Sequence, residues 1–245
     1  MTTGTSSINL TYRPANDRGL TDIDWLYSRH SFSFGNYFDP ANTHYSVLRV
    51  INDDIIAPGM GFGEHPHRDM EIVTWMIDGS LKHGDSLGNL MELRPGELQA
   101  MSAGSGIRHS EFNASTDKPA HLLQIWLMPA ERGISPRYDQ RTFDAANRAG
   151  RWDTLAAGPR QLEQYPTAMP IYQDAMIRVV DLKAGQSVDV SLDAGRKGYL
   201  HLATGKAAAA SQQMNAGDAV TFDGGGTFTL TSEADGTQAL LFDLP

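Results

Sequence analysis

The chain has 245 residues; 40% of them are hydrophobic and 20% are charged, which is typical of a folded globular protein and excludes a disordered or fibrous chain. Acidic residues outnumber lysine and arginine by 29 to 20, and the net charge of −9 disfavours direct binding to nucleic acid. Cysteine is absent, which excludes disulfides, thiolate nucleophiles, iron–sulfur clusters and cysteine-ligated zinc. Metal or acid–base chemistry must therefore use the eight histidines and the carboxylates.

The first residues, MTTGTSSINLTYRP, contain neither a positively charged start nor an apolar segment. A secretory signal peptide would need both features, and a membrane anchor would need the apolar segment. We therefore expect a cytoplasmic protein that has no membrane partner.

Short apolar runs separated by glycine and proline dominate the chain, a pattern typical of β-strands joined by turns. In chain order, the predicted strands are Ser46–Ile51, Glu71–Ile77, His121–Met128, Ala175–Leu182, Tyr199–Ala203 and Thr237–Leu244. The strongest helical periodicity lies in Asp139–Leu155, which is polar and is interrupted by Gly150. We interpret this segment, between two strand-rich halves, as a linker that carries a short helix.

The two halves also resemble each other in sequence. Arg94–His109 aligns with Asn215–Leu230 at an offset of 121 residues, and Ile72–Gly79 aligns with Gly198–Gly205 at an offset of 126. Self-similarity over half of the chain predicts a duplicated all-β unit. The alternative is that glycine-rich turns of unrelated strands converged on the same residues.

Histidines and a glutamate occur in pairs with strand spacing. His65 and His67 flank Pro66, and His109 and Glu111 follow about 40 residues later. Since residues two apart in a strand lie on the same face, each pair points its side chains in one direction. If the two strands face each other, three imidazoles and one carboxylate converge, a donor set that suits a divalent transition metal. The competing interpretation is that these are surface histidines or hydrogen-bonded core histidines.

The same segments contain two known patterns. G-x5-H-x-H-x3-E begins at Gly59 and ends at Glu71, and G-x2-H-x3-N runs from Gly106 to Asn113; they resemble the two cupin motifs. More narrowly, three segments resemble the pirin family of the cupin superfamily. They are RHSFSFGNYFDP at 29–40, HPHRDMEIVTWMIDGSLKHGDSLGN at 65–89 and RPGELQAMSAGSGIRHSE at 94–111.

The resemblance implies an all-β bicupin, in which two double-stranded β-helix (jelly-roll) barrels pack together and a short helical linker joins them. We expect a metal-binding N-terminal cupin at 1–135, the linker at 136–160 and a C-terminal cupin without metal at 161–245. It also implies one divalent transition metal per chain, with Fe(II) as first choice and Cu, Ni, Mn, Co or Zn as alternatives. The implied metal ligands are His65, His67, His109 and Glu111.

Glu71 is the carboxylate ligand in the general cupin pattern, whereas the pirin pattern takes it from Glu111. We therefore expect Glu71 to lie behind the ligands or on the strand surface. In the second half, the positions aligned with the four implied ligands hold Ser191, Asp193, Leu230 and Ser232. This loss of ligands predicts that the second barrel holds no metal.

The bacterial branch of the family includes quercetin 2,3-dioxygenases, so the resemblance implies a metal-dependent dioxygenase that opens flavonols such as quercetin at the 2,3 bond with O₂. Its partners would be O₂ and a small aromatic enol, and Glu111 would be the catalytic base. Residues expected in the pocket or behind the ligands are Phe62, Met60, Phe38, Trp75, His83 and Glu71. His83 also fits a simple structural role in a polar turn with Asp85.

Two other functions compete with this one. Other family members act as regulatory proteins, so the main alternative is a non-enzymatic metal-binding or redox-sensing protein that acts through a protein partner. A sugar-phosphate isomerase would need cations at the site, but strand alternation predicts that Arg68 and Arg108 point away from the metal face.

Overall fold

The computed structural model describes residues 8–245 and consists almost entirely of β-strands. The first part of the chain forms β1 (Thr11–Arg13), a 3₁₀ turn (Ala15–Asp17), β2 (Gly19–Ile23), β3 (Leu26–His30), β4 (Leu48–Ile56), β5 (Gly61–His67), β6 (Glu71–Asp78), β7 (Leu81–Asp85), β8 (Leu90–Leu93), β9 (Glu97–Ser102), β10 (Ile107–Asn113), β11 (Ala120–Leu127) and β12 (Arg137–Thr142). The remainder forms α1 (Ala145–Arg148), β13 (Asp153–Ala157), β14 (Met169–Pro170), β15 (Met176–Leu182), β16 (Ser187–Ser191), β17 (Lys197–Thr204), β18 (Lys206–Ala209), β19 (Gln212–Asn215), β20 (Ala219–Asp223), β21 (Thr227–Ser232) and β22 (Thr237–Leu244). Within this described part, no helix is long and apolar enough to span a membrane.

The six strands predicted from apolar runs are confirmed as β4, β6, β11, β15, β17 and β22. They are central strands of two large sheets, where they follow the orders β6-β11-β4 and β17-β22-β15. In β6, every residue from Glu71 to Met76 is buried. Burial on both faces favours long apolar runs rather than strict alternation, which is why these strands are visible in the sequence.

The short helix expected within Asp139–Leu155 is present as α1, but strands occupy both ends of that segment. β12 extends to Thr142 and pairs with β9, α1 spans only Ala145–Arg148, and β13 begins at Asp153. β12 lies at the edge of its sheet, where polar residues are tolerated along the whole strand. Because β12 is polar, a search for apolar runs does not detect it.

The chain forms two compact units. The first contains residues 18–144 and 169–173, and the second contains the described residues 8–17 together with 145–168 and 174–245. In the first unit, one sheet has the order β12-β9-β6-β11-β4-β3-β2 and the other has the order β5-β10-β7-β8. In the second unit, the orders are β1-β20-β17-β22-β15-β13 and β16-β21-β18-β19.

The strand order is the same in both units. Taken in chain order, β4 to β11 correspond one by one to β15 to β22: β9-β6-β11-β4 matches β20-β17-β22-β15, and β5-β10-β7-β8 matches β16-β21-β18-β19. Two antiparallel sheets with this shared connectivity are typical of a duplicated jelly-roll unit. The protein is therefore an all-β bicupin.

The N-terminal strand belongs to the second unit. β1 pairs with β20, and Oη of Tyr12 donates to a carboxylate oxygen of Asp218 at 2.8 Å. Asp218 also accepts hydrogen bonds from the backbone N–H groups of Ala15 and Asn215, both at 2.7 Å. This buried carboxylate ties β1 to the later strands, so the compact unit starts before residue 18. The domain boundaries at 135 and 160 stay predictions.

The strand register identifies the counterpart of His65 in the second unit. His65 lies opposite His109, and Val188 lies opposite Leu230. Because Leu230 is the counterpart of His109 at the offset of 121, the counterpart of His65 is Val188. The match of His65 with Ser191 is therefore wrong, since the offset of 126 does not hold in β16.

The same reasoning applies to His67. It lies opposite Ile107, and Val190 lies opposite Phe228, so its counterpart is Val190 and not Asp193. Val190 and Phe228 belong to the apolar core cluster of the second unit. The second unit therefore has hydrophobic packing where the first presents imidazoles.

Candidate metal centre

Three histidines meet on the small sheet of the first unit. Nε2 of His109 lies 2.9 Å from Nε2 of His67 and 3.1 Å from Nε2 of His65. His65 and His67 extend from β5, and the cross-strand register places His65 directly opposite His109 on β10. The structure thus brings together the three histidines that the sequence singles out.

The two contacts between imidazole nitrogens suit a bound metal better than hydrogen bonding alone. One N–H can join only one pair of nitrogens, whereas Nε2 of His109 faces two imidazoles. Nδ1 of His65 lies 2.8 Å from the carbonyl oxygen of Gly63 and donates to it, which leaves a lone pair on Nε2. Two nitrogens at a right angle and about 2.1 Å from a metal are about 3 Å apart. The observed spacing therefore fits a shared ion.

The protonation state of the histidines also fits metal binding. Burial lowers the pKa of His67 to about 4 and the pKa of His109 to about 3, and repulsion among the neighbouring imidazoles acts in the same direction. Both imidazoles are therefore neutral at pH 7. Neutral imidazole is the form that binds metals, so no proton has to leave before an ion can enter.

Glu111 lies in the same pocket as the histidines and is held by three side chains. Its Oε2 accepts a hydrogen bond from Nε2 of Gln124 at 2.7 Å. Its Oε1 accepts from Nε2 of Gln99 at 3.1 Å and from Oγ1 of Thr74 at 3.4 Å. Glu111 is only 3% exposed, so these donors replace the water that would otherwise solvate its carboxylate.

The backbone beside Glu111 explains why β5 contains a glycine. A Cβ atom on Gly61 would lie 2.2 Å from the carbonyl oxygen of Glu111. The register also shifts here, because His109 is opposite His65 while Glu111 is opposite Phe62. One extra residue on β5 forms a β-bulge, which re-aims side chains at a site. A larger residue at 61 would push β5 away from Glu111.

A fourth histidine lies next to this group. Nε2 of His83 is 2.9 Å from Oδ2 of Asp85, and the ring stacks on Tyr138 with centroids 4.4 Å apart. Its centroid is 5.3 Å from that of His109, and His83, His109 and Glu111 form a second cluster of potential ligand atoms. His83 lies on β7, which pairs with β10, and the expected polar turn follows at Asp85, whose Oδ1 accepts from the backbone N–H groups of Leu87 and Asn89. His83 therefore packs beside His109 on the neighbouring strand.

Comparison with known proteins places this centre in a family. The family model for pirin matches residues 12–127, and the model for the quercetinase C-terminal cupin domain matches residues 163–244. The quercetin 2,3-dioxygenase of Escherichia coli strain K12 is 42% identical over 234 residues, which cover 95% of this chain and 97% of that protein. The chain belongs to the pirin family. A pirin-like protein of Caulobacter vibrioides is also 38% identical over 229 residues, covering 94% of this pirin and 97% of that protein.

Solved structures agree with this assignment. The bacterial pirin YhhW of Escherichia coli, in complex with nickel(II), has a TM-score of 0.88 and 37% sequence identity. The match covers 97% of this chain and 99% of that one. The pirin resemblance of the sequence and the bicupin fold that it implies are thereby confirmed.

The structure places one of the four predicted apolar wall residues in the pocket of this pirin. Phe62 lines it, with its ring centroid 6.5 Å from that of His65. Phe38 and Met60 lie on exposed segments, 75% and 44% accessible, and Trp75 is fully buried on the central strand β6. These three side chains lie outside the pocket lining, because Phe38 and Met60 are exposed and Trp75 packs in the core.

Glu71 also lies outside the pocket lining. Its Oε2 accepts hydrogen bonds from Oγ of Ser102 at 2.9 Å and from the backbone N–H of Tyr172 at 3.1 Å. Burial raises the pKa of its carboxyl group. The strand-surface interpretation is wrong, because the residue is only 2% exposed and connects β6 to β9 and to the segment 169–173.

Five further residues line the pocket, and sequence reasoning missed them: Phe34, Asn52, Asp54, Gln124 and Trp126. A signal was available for three of them. Asn52 and Asp54 lie on the otherwise apolar strand β4, and Gln124 lies on β11. A polar residue inside a buried apolar strand needs a partner, so it often marks a site.

Asp54 should make the stability of metal-free protein depend on pH. Burial raises the pKa of Asp54 from 3.8 to about 7, and repulsion from Asp53 and Glu111 adds to this. Between about pH 4 and pH 7 the folded state keeps a proton that the unfolded chain releases, so the free energy of unfolding falls as pH rises through this window. Asp54→Asn should lessen that fall, to which the raised pKa of Glu71 also contributes, and be more stable than the parent at pH 8.

Urea unfolding at pH 5 and pH 8 measures this effect. Asp22→Asn, which changes an exposed aspartate on β2, is the matched control and should keep the parental pH dependence. An Asp54→Asn variant whose stability falls between the two pH values as steeply as that of the control would contradict the assignment.

Proposed function

We propose that this pirin is a metal-dependent dioxygenase that opens flavonols such as quercetin at the 2,3 bond with O₂. The observation that carries the proposal is the convergence of three imidazoles beside the buried carboxylate of Glu111 in one pocket. The Escherichia coli relative named quercetin 2,3-dioxygenase supports the substrate class, and the nickel(II) complex of YhhW supports a divalent metal. We place the reaction in the cytoplasm.

The residues that would hold the metal are His65, His67, His109 and Glu111, with one ion per chain. Fe(II) is our first choice, and the same nitrogen and oxygen donors suit nickel and the other divalent transition metals. When bound, the ion acts as a Lewis acid that lowers the pKa of an enol hydroxyl, and it provides the redox centre for reaction with O₂.

Glu111 supplies the base in this proposal. A flavonol carries an enol hydroxyl beside a ketone, and a carboxylate within hydrogen-bond reach can accept the hydroxyl proton. The amide groups of Gln124 and Gln99 donate to its two oxygens, so the carboxylate keeps one orientation while substrate enters. Preorganised groups of this kind need no rearrangement at the moment of proton transfer.

Aromatic side chains form the walls around the base and the histidines. Trp126 lies edge-to-face with both His67 and Phe34, at centroid distances of 4.9 and 5.4 Å. Phe62 packs against Trp25 in the same way at 5.1 Å. These walls fix the imidazole of His67 and exclude water from the reacting groups, as flat apolar surfaces do in small-molecule sites.

The volume of the pocket limits how a flavonol can enter. The cavity next to the ligands measures only 50 Å³, whereas a second, open cavity of 430 Å³ shares His67 with it. We propose that the hydroxyl–ketone edge of the substrate enters the small cavity and that its rings lie in the larger one. Ser86 and Ile107 line that larger cavity, together with Arg68 and Arg108.

Aerobic incubation with quercetin tests the proposal. Protein reconstituted separately with Fe, Cu, Mn, Ni and Co is mixed with quercetin under air, and flavonol absorbance and O₂ uptake are followed together. We expect equimolar loss of both with at least one metal, and no loss with metal-free protein. Absence of turnover with all five metals would overturn the enzymatic proposal in favour of the regulatory alternative.

A further inference from the structure

The second unit contains a cavity of its own, which the proposed reaction does not use. Its volume is 610 Å³, and it is lined by the first residues of β15 and β21, by the segments that follow β16, and by residues 160–165. This volume is within the range of about 300 to 1,000 Å³ found for small-molecule sites. The cavity is therefore large enough to hold an organic ligand.

Most charges along this cavity are paired with each other. Nε of Arg196 lies 2.6 Å from Oδ1 of Asp243, and its Nη1 lies 3.3 Å from Oδ2 of Asp174. Arg160, at the exposed rim, lies 3.4 Å from the same oxygen of Asp174. Asp193 is exposed, where solvent screens its charge. The two buried or half-buried aspartates are thus neutralised by arginine.

Arg178 has no such carboxylate partner among residues 8–245. Its Nη2 donates to Oη of Tyr165 at 3.2 Å, and its guanidinium lies 5.5 Å from the centre of the Tyr165 ring. Its Nε is buried and has no hydrogen-bond partner in the described part of the chain. A half-buried guanidinium without a counter-ion is a strong binding group for a carboxylate, because its planar fork matches the two oxygens.

The remaining polar lining suits hydroxyl groups. The amides of Gln161 and Gln164 and the hydroxyls of Ser191 and Thr227 line the cavity. Nε2 of Gln161 donates to Oδ1 of Asp174 at 2.7 Å, while its buried Oε1 has no hydrogen-bond partner in the described residues. An acceptor in this position needs a donor such as a ligand hydroxyl.

We propose that this cavity binds a small organic carboxylate that carries hydroxyl groups, with Arg178 pairing to the carboxylate. The side chains of Gln161 and Gln164 accept and donate hydrogen bonds to the hydroxyl groups. Tyr165 orients the guanidinium through its hydroxyl and its ring. The site is distinct from the metal centre, since its lining residues all belong to the second unit.

Titration with 4-hydroxybenzoate tests the proposal on the metal-loaded protein. Calorimetry should show saturable binding with a dissociation constant below about 1 mM, and 4-hydroxybenzamide, which has the same shape without the charge, should bind at least about 10-fold more weakly. Arg178→Gln should weaken binding of the acid by at least about 10-fold. Lys183→Gln, which changes an exposed cation of the second unit outside the cavity lining, is the control and should bind as the parent does.

A carboxylate could also bind to the metal of the first unit, so a His67→Ala variant separates the two sites. It should bind 4-hydroxybenzoate as tightly as the parent. Equal binding of the acid and the amide, loss of binding in His67→Ala, or parental affinity in Arg178→Gln would overturn the proposal, as would no binding at all. The comparison of acid and amide uses the unmodified chain, so the test does not depend on a variant that folds.

Discussion

His67→Ala is expected to lower the metal affinity at least about 100-fold and to remove activity with quercetin in parallel. Hydrogen-bond partners of metal ligands typically contribute about 10- to 100-fold to affinity, so loss of a ligand itself should cost no less. Nε2 of His67 is one of three imidazole nitrogens at the centre, 2.9 Å from that of His109. Metal analysis after desalting, together with the quercetin assay, measures both effects.

The fold should survive this substitution. The apolar clusters of the first unit, such as Ile72 with Met101 and Ile107, contain none of the proposed ligands, so far-UV circular dichroism should be nearly unchanged. His44→Ala is the matched control, because His44 is exposed and lies outside the metal centre, with its Nδ1 2.9 Å from Oγ1 of Thr43. A His67→Ala protein that retains full metal stoichiometry would show that the ligand set is wrong.

Glu111→Gln is expected to lower kcat by about 10²- to 10⁴-fold, the usual contribution of a general base. The amide has the shape of the carboxylate, and its one oxygen can accept from either Gln99 or Gln124, which donate to opposite oxygens of Glu111. It cannot accept the substrate proton at neutral pH. Because the carboxylate is also a proposed ligand, kcat is measured at metal concentrations that restore full occupancy.

Glu92→Gln provides the control for this variant. Glu92 lies on β8 with its side chain 42% exposed and pairs with Arg94, so its replacement should leave metal content and kcat unchanged. If Glu111→Gln, fully loaded with metal, turned over quercetin at the parental rate, the role of Glu111 as base would be contradicted. Glu111 would then contribute only to the affinity for the metal.

The strands that could be predicted from the sequence are those with two covered faces. β6, β11 and β22 are buried along most of their length, so their residues form apolar runs. β16 and β12 are partly open and have polar or mixed sequences, and only the structure reveals them. Local patterns record burial, whereas the position of an exposed strand depends on pairing with distant residues.

The same difference applies to the site. The spacing of His65, His67 and His109 made their convergence predictable, because strand alternation fixes which side chains share a face. The apolar pocket walls could not be chosen in this way. Phe62 and Trp75 are both large aromatic residues, yet Phe62 lines the pocket and Trp75 is fully buried in the core. Which aromatic side chain lines the pocket depends on the bulge in β5 and on tertiary packing, and neither can be read from composition and spacing.

The central claim is that the first unit holds one transition metal through three histidines and Glu111, and that the second unit holds none. Elemental analysis of the protein purified without added metal tests it most directly. We predict close to one divalent transition metal ion per chain in the parent protein and less than a tenth of that in His67→Ala. A value near two ions per chain, or a full complement of metal in the variant, would contradict the account.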